Sequence, residues 1–225
     1  MSLWLAIPFG VGPCLFWLWL VERHDDHERE PWLLIVLAAA LGALSTFGVL
    51  WLRPWLEQLF APDSPALDAF VVTALGEEVW KLAALVPLLC MRELDEPMDG
   101  IVYGAAAGLG FAAIENIYYA QHGGDVELLL QRAFTATLQH AACTGCLGFC
   151  WAQGKLRRLG RGKLAWLLGG VVLAVALHGS YDLFLDGDRA RALVSLLLVL
   201  PVALLLFALK IRWARSRSSH YHPEP

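Results

Sequence analysis

An all-α, polytopic bundle of membrane-crossing helices is the fold class this sequence predicts, and three observations predict it. Of the 225 residues, 58% are hydrophobic and only 17% charged, against about 25% charge in a soluble domain. The mean hydropathy is +0.55. The Leu, Ala and Trp excess falls in runs of roughly 20 residues, the helix length that crosses a ~30 Å hydrocarbon core.

Seven spans are expected within a single membrane domain, 1–209. The first, 3–21, has Pro8 and Pro13 near its start and no basic leader before it, so it reads as a span and not as a cleaved signal. The second, 32–52, carries no charge. The third, 66–91, carries Glu77, Glu78 and Lys81. The fourth, 100–120, opens on small residues with Gly104 and Gly108 four apart, a spacing that lets helix backbones meet, and carries Glu115 and Asn116. The fifth, 133–152, carries His140. The sixth, 164–184, carries His178 and Asp182. The seventh, 192–209, is uncharged and contains Pro201. The remainder, 210–225, is basic and then Ser/His/Pro-rich, and is expected to be a disordered tail.

Basic residues set the orientation. Arg23, Arg29, Arg92, Lys155, Arg157, Arg158, Arg161, Lys163, Lys210, Arg212, Arg215 and Arg217 fall on one side of a seven-span arrangement. Arg53, Arg132, Arg189 and Arg191 fall on the other. The richer side is expected to be cytoplasmic, with the N-terminus outside. The basic loop 155–163 then reads as a topology determinant and a lipid-headgroup contact, not as a nucleic-acid site.

The five cysteines, Cys14, Cys90, Cys143, Cys146 and Cys150, all lie in apolar runs. Their odd number argues against a disulfide framework. Cys143, Cys146 and Cys150 share a helix face with His140, but small residues at that spacing also serve close helix packing, which is the reading preferred here. The polar loop with His24, Asp25, Asp26, His27 and Glu28 reads as a solvated connector, and His220 and His222 as inert.

The informative residues are the ionisable ones inside the spans. Each costs about 2.5–3.5 kcal/mol at a helix centre, so a group of them on four helices calls for a shared polar cavity. In the expected orientation all lie within roughly 16 Å of the outer ends of their spans, which places one site in the outer half of the bilayer. Glu78 and Glu77 are i,i+3 and i,i+4 to Lys81, so either can pair with it. The two carboxylates point about 100° apart. One is expected to be held by Lys81 or a neighbouring helix, the other to face the cavity as a general base for water. Glu115 is a candidate ligand or second carboxylate, and Asn116 a hydrogen-bonding partner. His178 and Asp182 share a helix face, as a metal ligand with its carboxylate or as a His whose tautomer an Asp fixes.

These motifs resemble the PrsW family of intramembrane proteases. Glu77-Glu78-Val79-Trp80-Lys81 is similar to its E-E-x-x-K motif, Phe111 to Asn116 to F-x-x-x-E-N, and His178 to Asp182 to H-x-x-x-D. His140 stands where a His is expected on the span between the last two. The approach to span two, Glu30-Pro31-Trp32, is also similar, so the resemblance covers nearly the whole chain. The related CAAX prenyl endopeptidases and CPBP proteins carry Arg, His and Asn where this chain has Lys81, Glu115 and Asp182, which makes PrsW the nearer match.

The resemblance implies an intramembrane endopeptidase of a bacterial plasma membrane. Its substrate would be a single-span membrane protein, such as an anti-sigma factor cut on its extracytoplasmic side. Glu77, Glu78, Glu115, His140 and His178 would be catalytic, supported by Lys81, Asn116 and Asp182. Two routes stay open: a divalent metal such as zinc held among His140, His178, Glu115 and Asp182, or a metal-free route with a buried glutamate activating water. A different class, a proton- or ion-coupled carrier, would use the same buried Glu, His and Lys. Against it stand the lack of an internal repeat and a polar layer confined to one half of the bilayer. A relative that only binds membrane proteins fits less well, since every motif residue is present.

Overall fold

A computed structural model describes residues 3–24, 29–61, 63–156 and 160–217; every secondary-structure element among them is helical. Helix α1 is Leu3–Glu22. Helix α2, Trp32–Phe60, continues well past the expected 52 and through Pro54, until Ala61 adopts a left-handed conformation (φ 38°) and its N–H bonds Glu57 O.

Helix α3 occupies 65–89 in three parts: Pro65–Leu67, a π-helical stretch Asp68–Leu75, and Gly76–Leu89. Ser64 caps it, its hydroxyl accepting from Leu67 N–H. Helix α4, Pro97–Gln121, starts in a reciprocal capping box between Glu96 and Asp99. Helix α5, Val126–Phe134, capped by Asp125, was expected as connector; its nine residues are too few to register as a span. Thr135 (φ −125°, ψ −89°) breaks it from α6, Ala136–Leu156. Helix α7 is Gly160–Leu185.

Helix α8 occupies 189–215 as Arg189–Val194, a π-helical stretch Ser195–Val199, and Leu200–Arg215. The π turn sits just before Pro201, whose missing N–H interrupts the regular ladder there. Lys210, Arg212 and Arg215, expected in a disordered tail, lie on its last turns. Lys210 stacks over the Phe149 ring at 4.5 Å, which gives the helix a reason to continue. Residues 218–225, with His220 and His222, lie outside the described residues, as do Asp25, Asp26, His27 and Glu28 of the polar loop and Arg157 and Arg158 of the basic loop.

Helix α4 is the buried axis of the bundle, clasped by α6 on one side and α2 on the other. Its glycines make this possible. A Cβ on Gly104 would stand 2.4 Å from Thr144 O, and one on Gly108 2.4 Å from His140 O. Toward α2, a Cβ on Gly110 would stand 1.9 Å from Ala39 O. The outer faces are apolar: Trp32, Trp51, Trp55 and Leu197 are each at least 60% exposed, as suits a lipid-facing surface. Among the described residues four helical segments are long and apolar enough to cross a membrane: Trp32–Phe60, Pro97–Gln121, Gly162–Leu185 and Arg189–Arg215. Helix α3 spends three of its positions on Glu77, Glu78 and Lys81, and α6 turns polar residues inward.

Candidate active site

Five helices send polar side chains to one place. Helix α3 delivers Glu77 and Glu78 immediately after its π-helical stretch ends, a distortion frequently found beside functional sites. Glu78 and Lys81 are wholly buried, and Glu77, His140, His178 and Asn116 nearly so. Glu115 and Asp182 keep about a quarter of their side chains exposed. They border a cavity of about 240 Å³ with Glu77, His140 and His178, and at its mouth stand Arg53, Asp68 and Asp186.

The two adjacent glutamates have different surroundings. Glu78 has no free oxygen: Oε1 accepts from Lys81 Nζ (2.8 Å) and His178 Nδ1 (3.0 Å), and Oε2 from Thr144 Oγ1 (3.0 Å). Glu77 borders the cavity and lies farther from Lys81 Nζ, at 3.5 Å. The fork left open by the sequence closes geometrically: Glu78 is the held carboxylate and Glu77 the cavity-facing one.

The histidine tautomers follow from their partners. Lys81 has only donors to offer, so its Nζ, 3.0 Å from His140 Nδ1, requires that nitrogen to accept. His140 Nε2–H then donates to Glu115 Oε2 at 2.8 Å. In His178, Nδ1–H donates to Glu78, and Nε2 faces Asp182 Oδ2 at 3.3 Å and Glu77 Oε2 at 3.7 Å. The two rings meet edge to face, centroids 4.9 Å apart.

Two contributors were not singled out from sequence. Arg132 of α5, counted only as a topology charge, holds Glu115 Oε2 through Nη2 (2.7 Å) and Asn116 Oδ1 through Nε (2.7 Å). Asn116 in turn donates to Thr137 Oγ1 (3.0 Å), which ties α4 to α5 and α6. Thr144 of α6 carried no sequence signal of its own. Its hydroxyl on Glu78 is visible only once α3 and α6 are seen to touch.

Glu77, His140 and His178 each offer one ligand atom, and these atoms lie within 4.8 Å of one another. This is the chemistry of a divalent-metal site, two imidazoles and a carboxylate with a cavity alongside for water. The set differs from the expected one: Glu115 is taken by Arg132 and His140 and so stands behind the group, and Glu77 takes its place. The cysteines take no part; Cys143 accepts from Gln139 Nε2. Charge favours the fit. With neutral histidines and ionised carboxylates, the four carboxylates Glu77, Glu78, Glu115 and Asp182 outnumber the buried cations Lys81 and Arg132, while Arg53 at the mouth pairs with Glu57 and Asp68, and a divalent cation would balance the surplus.

Residues 30–209 match the family described as PrsW family intramembrane metalloprotease. The chain belongs to the PrsW family. It is 33% identical to Protease PrsW of Geobacillus kaustophilus over 78% of its own length and 77% of that protein's. It is 29% identical to Protease PrsW of Bacillus subtilis, covering 80% and 82%, and 26% identical to Protease PrsW of Clostridioides difficile, covering 85% and 81%. No solved structure matches it. Membership of the PrsW family makes the chain a membrane-embedded peptidase with a protein substrate in the membrane.

Proposed function

We propose that this PrsW-family chain is a metal-dependent endopeptidase that hydrolyses a peptide bond of a single-span, membrane-anchored protein near the extracytoplasmic face of a bacterial inner membrane, an anti-sigma factor being one such substrate. The observation that carries the reading is the convergence of Glu77, His140 and His178 beside a polar cavity. When bound there, a divalent cation supplies Lewis-acid polarisation of a carbonyl and an acidified water at neutral pH.

The chain's own residues do the rest. Glu78 accepts from His178 Nδ1 and keeps Nε2 aimed at the cavity. Glu115 accepts from His140 Nε2 and so leaves Nδ1, which accepts from Lys81 Nζ, as the nitrogen that would have to turn from the ammonium to hold a metal. Such carboxylate–imidazole pairs orient ligands and raise their basicity. Asp182 has no Lys or Arg partner among the described residues and borders the cavity, so its Oδ2 is the place to park a proton taken from water.

The position of the site supports extracytoplasmic cleavage. Arg53, about two turns before the end of α2, Asp68 near the start of α3 and Asp186 just after α7 stand at the cavity mouth, toward the end of the bundle poor in basic residues. In a seven-span arrangement with the N-terminus outside, that end faces away from the cytoplasm.

One contact favours a second route. Lys81 Nζ already bonds His140 Nδ1 and lies 3.5 Å from Glu77, two of the three prospective ligands. A metal-free hydrolase would keep this ammonium in place and use Glu77 as the base that activates water. Purified protein in detergent separates the routes by cleavage of single-span substrates and metal content on the same samples. The expected result is about one metal ion per chain, lost together with cleavage in Glu77→Gln and His178→Ala. Cleavage by chelated, metal-free protein would select the glutamate route. No cleavage, with proton uptake altered in these variants, would sink both and favour the carrier.

A further inference from the structure

Gln139 lies on α6 immediately before His140 and borders the active-site cavity. It is 1% exposed. Its amide nitrogen is committed: Nε2 donates to Leu177 O at 2.9 Å and to Cys143 Sγ at 3.3 Å. A backbone carbonyl only accepts, so the Leu177 contact also fixes which end of the amide is oxygen. That oxygen, Oε1, is buried and has no hydrogen-bond partner among the described residues. Buried acceptors are rarely left so, because the group gives up its water and gains nothing in return.

The two histidines set its place. The anchoring carbonyl belongs to the residue before His178, and Gln139 is itself the residue before His140. The two imidazole centroids are 4.9 Å apart. The unmet acceptor therefore stands in the cavity wall beside the reacting groups.

We propose that Gln139 is a substrate-binding residue whose Oε1 accepts a main-chain N–H from a residue flanking the scissile bond. The assignment rests on the reading of this cavity as the active site, and it holds whether a metal ion or Glu77 activates the water. A substrate that crosses the bilayer as a helix satisfies its own N–H groups. To be hydrolysed it must leave the helix locally, and the freed N–H groups then lie in an apolar bundle where each needs an acceptor. The carboxylates around the cavity have other partners: Glu115 has Arg132 and His140, Asp68 has Arg53, and Glu77 and Asp182 face His178. Gln139 Oε1 is a neutral acceptor held in position by its own nitrogen. That suits an uncharged amide donor and costs no rearrangement of the charged groups.

Cleavage of a single-span substrate peptide by the full chain in detergent tests this. One main-chain N–H at a time is replaced by an ester oxygen at the residues flanking the scissile bond. In the wild type, one such replacement should lower kcat/KM about 10-fold, the effect of losing one hydrogen bond to a neutral group. Gln139→Met keeps the length of the side chain and loses the acceptor. It should cleave the all-amide peptide about 10-fold less efficiently, and the ester penalty at that one position should vanish, because two changes that remove one contact are not additive. A purely structural role, pinning α6 to α7 through Leu177, would lower the melting temperature and leave the ester penalty in place; that result overturns the proposal. So does an ester scan with no penalised position, or wild-type efficiency in Gln139→Met. If Gln139→Met does not fold, Gln139→Asn, whose amide is drawn back from the same place, carries the comparison with the same expected loss of discrimination. Glu77→Gln in parallel keeps the two readings apart. Abolished cleavage there, with an unaltered ester penalty in the Gln139 variant, overturns this assignment alone. Full cleavage by Glu77→Gln overturns the active-site reading and this assignment with it.

Discussion

Lys81 is fully buried and meets three partners, Glu78 at 2.8 Å, His140 at 3.0 Å and Glu77 at 3.5 Å, with the Phe111 ring 4.1 Å from its Nζ. Removing one member of a buried ion pair leaves the other uncompensated, at about 3–5 kcal/mol. Lys81→Met should therefore lower the melting temperature in detergent sharply, and adding Glu78→Gln should restore part of the loss. A single variant as stable as the wild type would show that the pair does not hold α3 in place. The neighbouring carboxylates should separate differently. Glu77→Gln removes a prospective ligand from a cavity-bordering position, so metal and activity should go while stability stays near that of the wild type. Glu78→Gln puts an amide against an ammonium and a hydroxyl donor, so stability should fall, and metal affinity should drop by the ~10–100-fold typical of an outer-sphere partner. Thermal melts and metal titrations on both variants check the split. Sequence reached this point and stopped: i,i+3 and i,i+4 spacing tied both glutamates to Lys81, but which one turns to the cavity depends on where α6 puts Thr144 and α7 puts His178.

At the scale of the element, the α4–α6 contact sets the site's dimensions. Gly108 lies against the backbone of His140 itself, so the distance that brings His140 Nε2 within 2.8 Å of Glu115 depends on a missing methyl group. Gly108→Ala should push the helices apart, at about 1–3 kcal/mol for an overpacked contact, and misplace His140 enough to cost on the order of 100-fold in cleavage rate. Gly169→Ala, with open space where its Cβ would go, is the control and should leave the rate unchanged. Rates measured on a single-span substrate decide this, and equal rates for the two variants would refute it. The G-x-x-x-G spacing was legible in the sequence, because close helix packing leaves a trace in residue size. The π-helical stretches in α3 and α8 were not, since their hydrophobic patterns read as ordinary apolar runs. Helix α5 was hidden for another reason. It is short and amphipathic, and its Arg132 earns meaning only from Glu115 and Asn116 on a helix that precedes it by a loop.

For the whole molecule, hydrophobic run length carried the helical bundle, because an apolar stretch near 20 residues has few other uses. It could not carry the exact reach of each helix. Helix α2 runs on through Pro54 and α8 through Lys210, Arg212 and Arg215, where ring stacking and solvated charge extend a helix beyond its apolar part. The proposed topology makes a prediction that depends on no catalytic assay. If seven helices cross with the N-terminus outside, the α2–α3, α4–α5 and α7–α8 connections face the extracytoplasmic side, and the α3–α4 connection faces the cytoplasm. Cys90, at the α3–α4 connection, is exposed and free, whereas Cys14, Cys143, Cys146 and Cys150 are buried. In intact cells a membrane-impermeant maleimide should therefore leave the wild-type chain unlabelled, and label it once the membrane is permeabilised. In a Cys90→Ala background, cysteines placed at Asp63, Gly123 or Gly187 should label from outside without permeabilisation. Labelling of Cys90 in intact cells would invert the bundle, move the cavity mouth at Arg53, Asp68 and Asp186 to the cytoplasmic face, and remove the argument for extracytoplasmic cleavage.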